Sequence, residues 1–410
     1  MQKILELEKI FFLKSKLLVD GCDVRDLLIL PDNFQEKKIH LYSHSTFKNN
    51  RPIPDDIILG GDISACISRI RFNPHSKLKI ILKNEDYFLL NSENMTLTSV
   101  KFIPNDISGN IKLDDLNSVN SVCSFLGSDL LGIAPSNHCF YYRQKDECKF
   151  CEIWPTYKEE VEYLKPLKDP EIIKKAVSIV LQKNSNIKHI AVTSGNIKDY
   201  DFTAEYFCKI GDNLQNIPLF NKLQDILGTL MPPNNFNLIK KIKDSGFNKI
   251  YFPLEVFDKN LFKIICPGKY KYGYEKIIDA LEFSVDIFGK GNVYTNFVYG
   301  IQSLNSNLDP KSYDPIAENE KSLLAVDQML AKNIIPGFTI YHYSGHNKIG
   351  NISLSVDNTF DFFKKIGEKI LNANLISKEK SSIIFNHLSL SNTLYNDSFM
   401  LAKFKRNKLL

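Results

Sequence analysis

Residues 128–154 read SDLLGIAPSNHCFYYRQKDECKFCEIW, a short apolar run followed by a polar loop that holds three of the chain's eight cysteines. Eight residues separate Cys139 from Cys148, and two separate Cys148 from Cys151. A Cys-x2-Cys pair lets two thiolates converge on one ion or cluster, and a third thiolate completes three protein ligands. Cysteines that only fill a core have apolar neighbours, whereas this loop is rich in Arg, Lys, Asp and Glu. We therefore expect a metal group on Cys139, Cys148 and Cys151.

The apolar run Ser128–Ala134 predicts a strand that leads directly into this loop. A regular alternation of strands and helices follows, and the first helix has the typical start of Asp169 followed by Pro170. The further predicted strands are Ile187–Val192, Asp225–Met231, Lys249–Phe257, Val293–Ile301 and Ile334–Tyr343. The predicted helices are Asp169–Lys183, Phe202–Ile210, Phe236–Lys243, Tyr274–Phe288 and Ser322–Lys332.

Six apolar strands with helices between them predict an α/β fold, a partial (β/α)6 barrel of the TIM type, at residues 126–345. In such folds the chemistry gathers at the carboxyl-terminal ends of the strands. The cysteine loop follows the first predicted strand. We therefore expect the metal group to lie at the mouth of the barrel.

The regions before and after the predicted barrel differ from it in sequence pattern. Residues 1–125 predict a small β-rich cap, because Lys77–Phe102 alternates short apolar and polar runs in the manner of a hairpin or meander. Cys22 and Cys66 have no partner at ligand spacing, and we interpret both as structural. Residues 346–410 form a predicted C-terminal extension, with a helix expected at Thr359–Leu371.

Composition excludes several classes of function. The hydrophobic fraction of 43% and the charged fraction of 24% are those of an ordinary globular protein. The net charge is +5, and the one compact basic run, at 403–408, is interpreted as a solvated terminus, so we expect no nucleic-acid partner. No apolar run approaches the ~18 residues of a membrane span, and charged residues interrupt the apolar N-terminus. We expect a cytoplasmic protein with no membrane partner.

The cysteine loop and its setting resemble the radical S-adenosylmethionine (radical SAM) superfamily, and most closely its biotin synthase-like branch. Members carry three cysteines in the loop after the first strand of a partial six-stranded barrel, with an aromatic residue where this chain has Phe150. The eight-residue gap after Cys139 is longer than the common spacing of the family. The resemblance implies one 4Fe-4S cluster on Cys139, Cys148 and Cys151.

The resemblance also implies an activity. S-adenosyl-L-methionine would be cleaved reductively to a 5'-deoxyadenosyl radical, which abstracts hydrogen from a small-molecule substrate. An electron donor such as ferredoxin or flavodoxin is implied as a partner. Rearrangement, sulfur insertion, methylation and carbon–carbon bond formation all remain open as the overall reaction.

Site residues follow from the same resemblance. Ser194, Gly195 and Asn196 are similar to a Gly-Gly-Glu motif that holds the methionine amino group, with Asn196 in place of the acid. Glu255 is a lone carboxylate in an apolar strand, and the resemblance makes it a ligand of the ribose hydroxyls or the amino group. The alternative for Glu255 is a strand-end carboxylate that faces solvent.

The last two strands supply the remaining candidates. Gly300 and Ile301 resemble the segment that packs on adenine, although a lone glycine in a strand is more often a bulge or a packing contact. Tyr341 offers main-chain groups to the adenine edge. The polar side chains of Tyr341, His342 and Tyr343 are candidates for a substrate pocket, although a single histidine is commonly structural.

Two further interpretations remain open. The segment Cys266–Lys269 is predicted to be a turn, with Cys266 as a minor candidate for an extra ligand or a hydrogen-atom donor. A different class of protein, a zinc-stabilised binding protein, would use His138 as a fourth ligand beside the three cysteines. Adjacent ligands at positions 138 and 139 converge poorly on one tetrahedral ion, so we favour the cluster.

Overall fold

A computed structural model describes residues 2–25, 56–60, 66–103, 111–115, 117–126, 129–155, 167–304, 314–343, 347–376 and 392–408. The boundary expected between residues 345 and 346 lies outside these ranges. The described strands form two sheets, one of five strands and one of seven.

The small sheet lies in the amino-terminal part of the chain, after a helix. These elements are α1 (Gln2–Asp20), β1 (Asp56–Leu59), β2 (Cys66–Arg69), β3 (Lys79–Lys83), β4 (Asp86–Leu90) and β5 (Thr96–Phe102). The sheet order is β2-β1-β5-β4-β3, with every neighbouring pair antiparallel. The predicted meander at Lys77–Phe102 is present as β3, β4 and β5. Its first turn places Asn84 and Glu85 at φ of 51° and 69°, as a tight two-residue hairpin requires.

The large sheet begins with two short strands before the cysteine loop, preceded by a one-turn helix, and it continues to the end of the alternation. The elements are α2 (Val119–Val122), β6 (Cys123–Leu126), β7 (Leu130–Ile133), α3 (Phe140–Gln144), α4 (Pro170–Lys183), β8 (His189–Thr193), α5 (Tyr200–Gln215), β9 (Asp225–Thr229), α6 (Asn237–Asp244), β10 (Lys249–Tyr251), α7 (Lys259–Ile265), α8 (Pro267–Tyr272), α9 (Tyr274–Phe288), β11 (Val293–Tyr299), α10 (Pro315–Ala331), β12 (Ile335–Ile340), α11 (Val356–Ala373) and α12 (Tyr395–Lys408).

Strands β7 to β12 are the six strands that the apolar runs predict. They pair in parallel and in chain order, and β6 adds an antiparallel edge beside β7. The strands are buried along nearly their whole length, as in a parallel sheet that helices cover on its faces. The fold is therefore mixed α/β with a parallel sheet, an arrangement that fits a partial barrel.

The two edges of this sheet differ in chemistry. At the amino-terminal ends of β8, β9 and β10, His189 Nδ1 lies 3.0 Å from Asp225 Oδ2, and Lys249 Nζ lies 3.2 Å from Asp225 Oδ1. Charged groups at this edge of a β/α fold serve stability. The cysteine loop lies at the opposite edge, where the strands end.

Helix α1 packs against the C-terminal helices through a buried charge. Lys14, which is 1% exposed, places Nζ 2.7 Å from Asp397 Oδ2 in α12. The Cys66 thiol of the small sheet lies 3.1 Å from the other carboxylate oxygen. One carboxylate thus joins α1, β2 and α12.

Within the described residues, no helix is both long and apolar enough to cross a membrane.

We predict that Lys14→Met lowers the free energy of unfolding by ~3–5 kcal/mol, because the Asp397 carboxylate loses the partner that offsets its burial. Guanidinium unfolding followed by circular dichroism measures the loss. Lys369→Met is the matched control, since its ion pair with Asp327 is largely exposed and contributes at most about 1 kcal/mol. Equal losses in the two variants would contradict a buried role for Lys14.

Candidate metal centre

The three cysteines of the loop lie close together at the carboxyl-terminal end of β7. Cys139 caps the amino terminus of α3, and both Cys139 and Cys148 are buried. Burial raises the pKa of Cys139 to about 11 and that of Cys151 to about 12, and in both cases the neighbouring Cys148 charge contributes. Cys139 and Cys151 thus hold their protons until a metal replaces them, whereas the pKa of Cys148 lies below its usual value, chiefly through hydrogen bonding by Cys266. Phe150, between the last two cysteines, packs on the main core.

The loop is held by main-chain hydrogen bonds to separate segments of the chain. The Phe140 amide donates to the Asn196 carbonyl at 2.8 Å, just after β8. The Lys149 amide donates to the Ile265 carbonyl at 2.8 Å, at the end of α7. These bonds fix the segments before Cys148 and after it against different β/α units.

Gly195 lies directly against the first cysteine. A Cβ at this position would be 2.6 Å from the His138 carbonyl oxygen and 2.8 Å from Cys139 Cβ. Both distances are shorter than real contacts, so only glycine fits. Ser194 donates its hydroxyl to the Gly195 carbonyl at 2.6 Å, and Asn196 is buried. The structure therefore brings the predicted 194–196 segment to Cys139.

Glu255 does not face solvent, and the alternative interpretation of this residue is wrong. It is 9% exposed and adopts φ of 72°, in the left-handed region that non-glycine residues rarely occupy. Lys269 Nζ lies 2.9 Å from Glu255 Oε1, and Asn296 Nδ2 lies 3.3 Å from Oε2. Positive φ in a buried, charged residue is typical of functional sites.

Lys269 is a site residue that the sequence analysis missed. The expected turn at Cys266–Lys269 is wrong, because α8 begins at Pro267, a residue suited to the first turn of a helix. Burial lowers the pKa of Lys269, but the charges of Glu255, Cys148 and Cys266 outweigh burial and hold that pKa above its usual range. The ammonium group is thus bonded to the Glu255 carboxylate, and the charges of the two thiols act on it as well. A proline directly after Cys266 was the available signal for the helix.

The end of β11 turns sharply rather than continuing. Gly300 adopts φ of 104°, and a Cβ there would lie 3.0 Å from a methyl group of Leu354. Ile301 begins a short 3-10 helix and is 1% exposed. Gly300 is therefore required by a turn and by close packing, and its predicted contact with adenine stays a prediction.

The end of β12 is tied to the cysteine loop. The Tyr341 hydroxyl donates to Asn347 Oδ1 at 2.8 Å, and Asn347 Nδ2 donates to Glu152 Oε1 at 2.8 Å. Tyr341 is buried, His342 is half-buried and Tyr343 is 38% exposed. The three substrate-pocket candidates thus have different environments, and the Tyr341 hydroxyl already has a protein acceptor.

The alternative zinc site lacks converging ligands. Across the described residues, no three His, Cys, Asp or Glu side chains lie close enough together to hold one metal ion. His138 is buried, and its ring packs edge-on against Trp154 at 5.1 Å between centroids. A 4Fe-4S cluster does not need ligands on one ion, because each thiolate binds a different iron. The donor set of three neighbouring thiols, two of them buried, fits such a cluster.

Comparison with known proteins gives partial matches. No family model matches the chain. It is 34% identical over 118 residues to bacteriochlorophyllide c C-7(1)-hydroxylase of Chlorobaculum limnaeum, a match that covers 28% of this chain and 26% of that relative. The chain thus spans about a quarter of the length of this relative.

Solved structures give more distant likenesses. Methylornithine synthase (PylB) aligns with a TM-score of 0.43 and 14% identity, over 65% of this chain and 71% of that one. The [FeFe]-hydrogenase maturase HydG of Carboxydothermus hydrogenoformans aligns with a TM-score of 0.42 and 14% identity, over 64% and 56%.

The sequence match supports the resemblance to radical SAM enzymes and their biotin synthase-like branch. The chain is accordingly similar to enzymes of this class.

We predict that Gly195→Ala lowers the free energy of unfolding by ~1–3 kcal/mol, because the new methyl group overlaps the His138 carbonyl and Cys139 Cβ. Ser194→Ala is the control at the preceding position. It removes one hydroxyl hydrogen bond, worth about 1 kcal/mol, and adds no atoms. Urea unfolding of both variants gives the comparison. An alanine at position 195 that left stability unchanged would mean that the Cys139 segment is free to move away.

Proposed function

We propose that this chain cleaves S-adenosyl-L-methionine reductively at one 4Fe-4S cluster held by Cys139, Cys148 and Cys151, and that it abstracts hydrogen from a small-molecule substrate. One observation carries the proposal: two buried cysteines and a half-buried one occupy the loop after the first parallel strand, with Gly195 of the second unit packed on Cys139. In a partial barrel, a loop at the strand ends would lie where substrates bind.

The bound cluster would supply the electron for cleavage of the carbon–sulfur bond, and the chain's own residues would bind and orient. Ser194, Gly195 and Asn196 lie beside Cys139, and main-chain groups of this segment together with the side-chain amide of Asn196 are proposed to hold the methionine amino group. Because Asn196 is neutral, that contact has no charge assistance. The contact of Gly195 with Cys139 supports this arrangement.

Glu255 is proposed to bind the ribose hydroxyls or the amino group of the same ligand. Its carboxylate already accepts from Lys269 and Asn296, which fix its orientation before any ligand binds. A carboxylate has further lone pairs available for hydroxyl donors. Gly300, Ile301 and the main chain of Tyr341 are assigned to adenine by resemblance.

A small-molecule substrate is supported by the matched relative, whose name gives a bacteriochlorophyllide as the molecule hydroxylated. We assign its pocket to the ends of the strands near Tyr341, His342 and Tyr343, because side chains there vary without disturbing the sheet. The electron would come from a carrier such as ferredoxin or flavodoxin, in a reducing compartment such as the cytoplasm.

We predict that alanine at Cys139, Cys148 or Cys151 abolishes cluster binding and S-adenosylmethionine cleavage but leaves the secondary structure intact, because each change removes one sulfur atom and none of the three residues lies within a helix or strand. Iron and sulfide analysis after anaerobic reconstitution, together with product analysis, measures both losses. Cys208→Ala, a half-buried cysteine on α5, is the control and keeps full iron.

Two results would contradict the proposal. Cleavage retained by one of the three alanine variants would remove that residue from the ligand set. Stoichiometric zinc with no iron after anaerobic reconstitution of the unaltered chain would replace the cluster with the zinc alternative.

We predict that Glu255→Gln weakens S-adenosylmethionine binding by ~1.5–3 kcal/mol, or more than tenfold in Kd, because a charge-assisted hydrogen bond becomes a neutral one. Isothermal titration calorimetry of the cluster-loaded chain measures it. Glu282→Gln, whose carboxylate is 44% exposed on α9, is the matched control. An unchanged affinity would mean that Glu255 does not bind S-adenosylmethionine and serves only in its ion pair with Lys269.

A further inference from the structure

The cysteine loop meets solvent through lysine side chains. Lys271 of α8 pairs with Asp146, and Lys348 pairs with Glu147. In each ion pair the carboxylate is the covered partner, because the two lysine side chains are 67% and 61% exposed and the two acidic side chains only 14% and 7%. Lys145, at the end of α3, is also exposed. The surface around these two carboxylates therefore presents positive charge to solvent.

Apolar side chains are exposed beside these lysines. Ile264 in α7 is 39% exposed, and Tyr270 in α8 is 43% exposed. The exposed Lys263 places Nζ 5.5 Å from the centre of the Tyr270 ring. Exposed apolar groups beside charged ones are typical of surfaces that bind another protein. We name this surface the basic face, and it consists of Lys145, Lys263, Ile264, Tyr270, Lys271 and Lys348.

The basic face is bonded to the cysteine loop through the main chain. The Lys348 amide donates to the Lys149 carbonyl at 2.8 Å, and Lys149 lies between the last two cysteines of the loop. The Gly268 amide of α8 donates to the Asp146 carbonyl at 2.9 Å, two residues before Cys148. A protein that docks on the basic face would therefore lie within a few residues of the sulfur atoms proposed to hold the cluster.

We propose that the basic face is the docking surface for an acidic one-electron carrier protein. The inference rests on the proposed function, which consumes one electron for each S-adenosylmethionine cleaved. The reduced carrier gives up that electron, and the carbon–sulfur bond accepts it and breaks to methionine and the 5'-deoxyadenosyl radical. Opposite charge steers the carrier to the face, and a small, weak interface suits a partner that leaves after each transfer.

The chemistry of the face favours a protein over a nucleic acid. Nucleic-acid binding depends mainly on lysine and arginine side chains that neutralise phosphates. On the basic face, Lys271 and Lys348 already have carboxylate partners, and Ile264 and Tyr270 offer apolar area that phosphates do not use. An acidic protein surface with its own apolar groups matches both features.

The test compares the unaltered chain with two triple variants after anaerobic reconstitution. The basic-face variant is Lys145→Gln, Lys263→Gln and Lys271→Gln. The matched control changes three exposed lysines that precede β8, β9 and β11, at the opposite edge of the large sheet, and it is Lys188→Gln, Lys222→Gln and Lys290→Gln. Both variants lose the same charge. Calorimetric titration with an oxidised acidic flavodoxin gives Kd at low and high salt. Cleavage of S-adenosylmethionine is measured with reduced flavodoxin and, separately, with dithionite.

We expect the Kd for flavodoxin to rise about tenfold in the basic-face variant at low salt, and the difference to shrink at high salt because salt screens exposed charges. The control variant binds flavodoxin as the unaltered chain does. Cleavage driven by reduced flavodoxin falls in the basic-face variant. Dithionite, a small reductant that needs no docking surface, supports equal cleavage in all three proteins.

Two outcomes overturn the inference. An equal Kd for flavodoxin in the basic-face variant and the control would place the carrier elsewhere. A random-sequence DNA duplex that bound more tightly than flavodoxin, and lost that binding in the basic-face variant, would make the face a nucleic-acid surface. Failure of the unaltered chain to cleave S-adenosylmethionine with dithionite is a separate result. It refutes the proposed function, whereas the comparison of Kd values still decides whether the face docks an acidic protein.

Discussion

The cysteine loop depends on hydrogen bonds that it makes with distant main chain, since most of its described residues between Cys139 and Cys151 lie outside the five-residue helix α3. The amides of Phe140 and Lys149 donate to carbonyls at the ends of other β/α units, and the Lys149 carbonyl accepts from Lys348 at 2.8 Å. Buried peptide groups without partners cost free energy. The loop conformation that satisfies all three bonds also brings the thiols together, so packing of the whole sheet fixes the distances between cysteines.

A second constraint is electrostatic. Glu255 and Lys269 are both buried, and their desolvation is offset only while they remain paired and fully hydrogen-bonded. The neighbouring thiols also contribute to the electrostatic environment of this buried ion pair. The positive charge of Lys269 favours both the Glu255 carboxylate, to which it is bonded, and the charged form of Cys148. One cation therefore supports the carboxylate proposed to hold S-adenosylmethionine and the sulfur proposed to hold iron, which couples the two halves of the site.

The sequence predicted those parts of the structure that depend on interactions between residues close together in the chain. Apolar runs located the six parallel strands, and the Asp169 cap located the start of α4, because hydrophobic periodicity and capping act over a few residues. The Lys269–Glu255 pair escaped prediction, since it joins residues on different elements through a strained backbone at position 255. The segment at Cys266 was read as a turn from its Pro and Gly, although proline equally favours a first helical turn. The choice between a turn and a helix depends on how this segment packs against the cysteine loop, and the local sequence does not give that packing.

The amino-terminal sheet is connected to the same site through buried polar groups. Arg71, beside that sheet, donates to the Ile340 carbonyl at 2.7 Å and to the Tyr341 carbonyl at 3.2 Å, at the end of β12. Tyr341 then bonds to Asn347, which bonds to Glu152, the residue after the last cysteine of the loop. Burial lowers the pKa of Arg71 to about 9, so its charge is kept at a cost that these carbonyl contacts offset. Because most of these groups are buried, breaking one link leaves a polar group without a partner. The small sheet, the end of β12 and the cysteine loop are therefore held in place by one another.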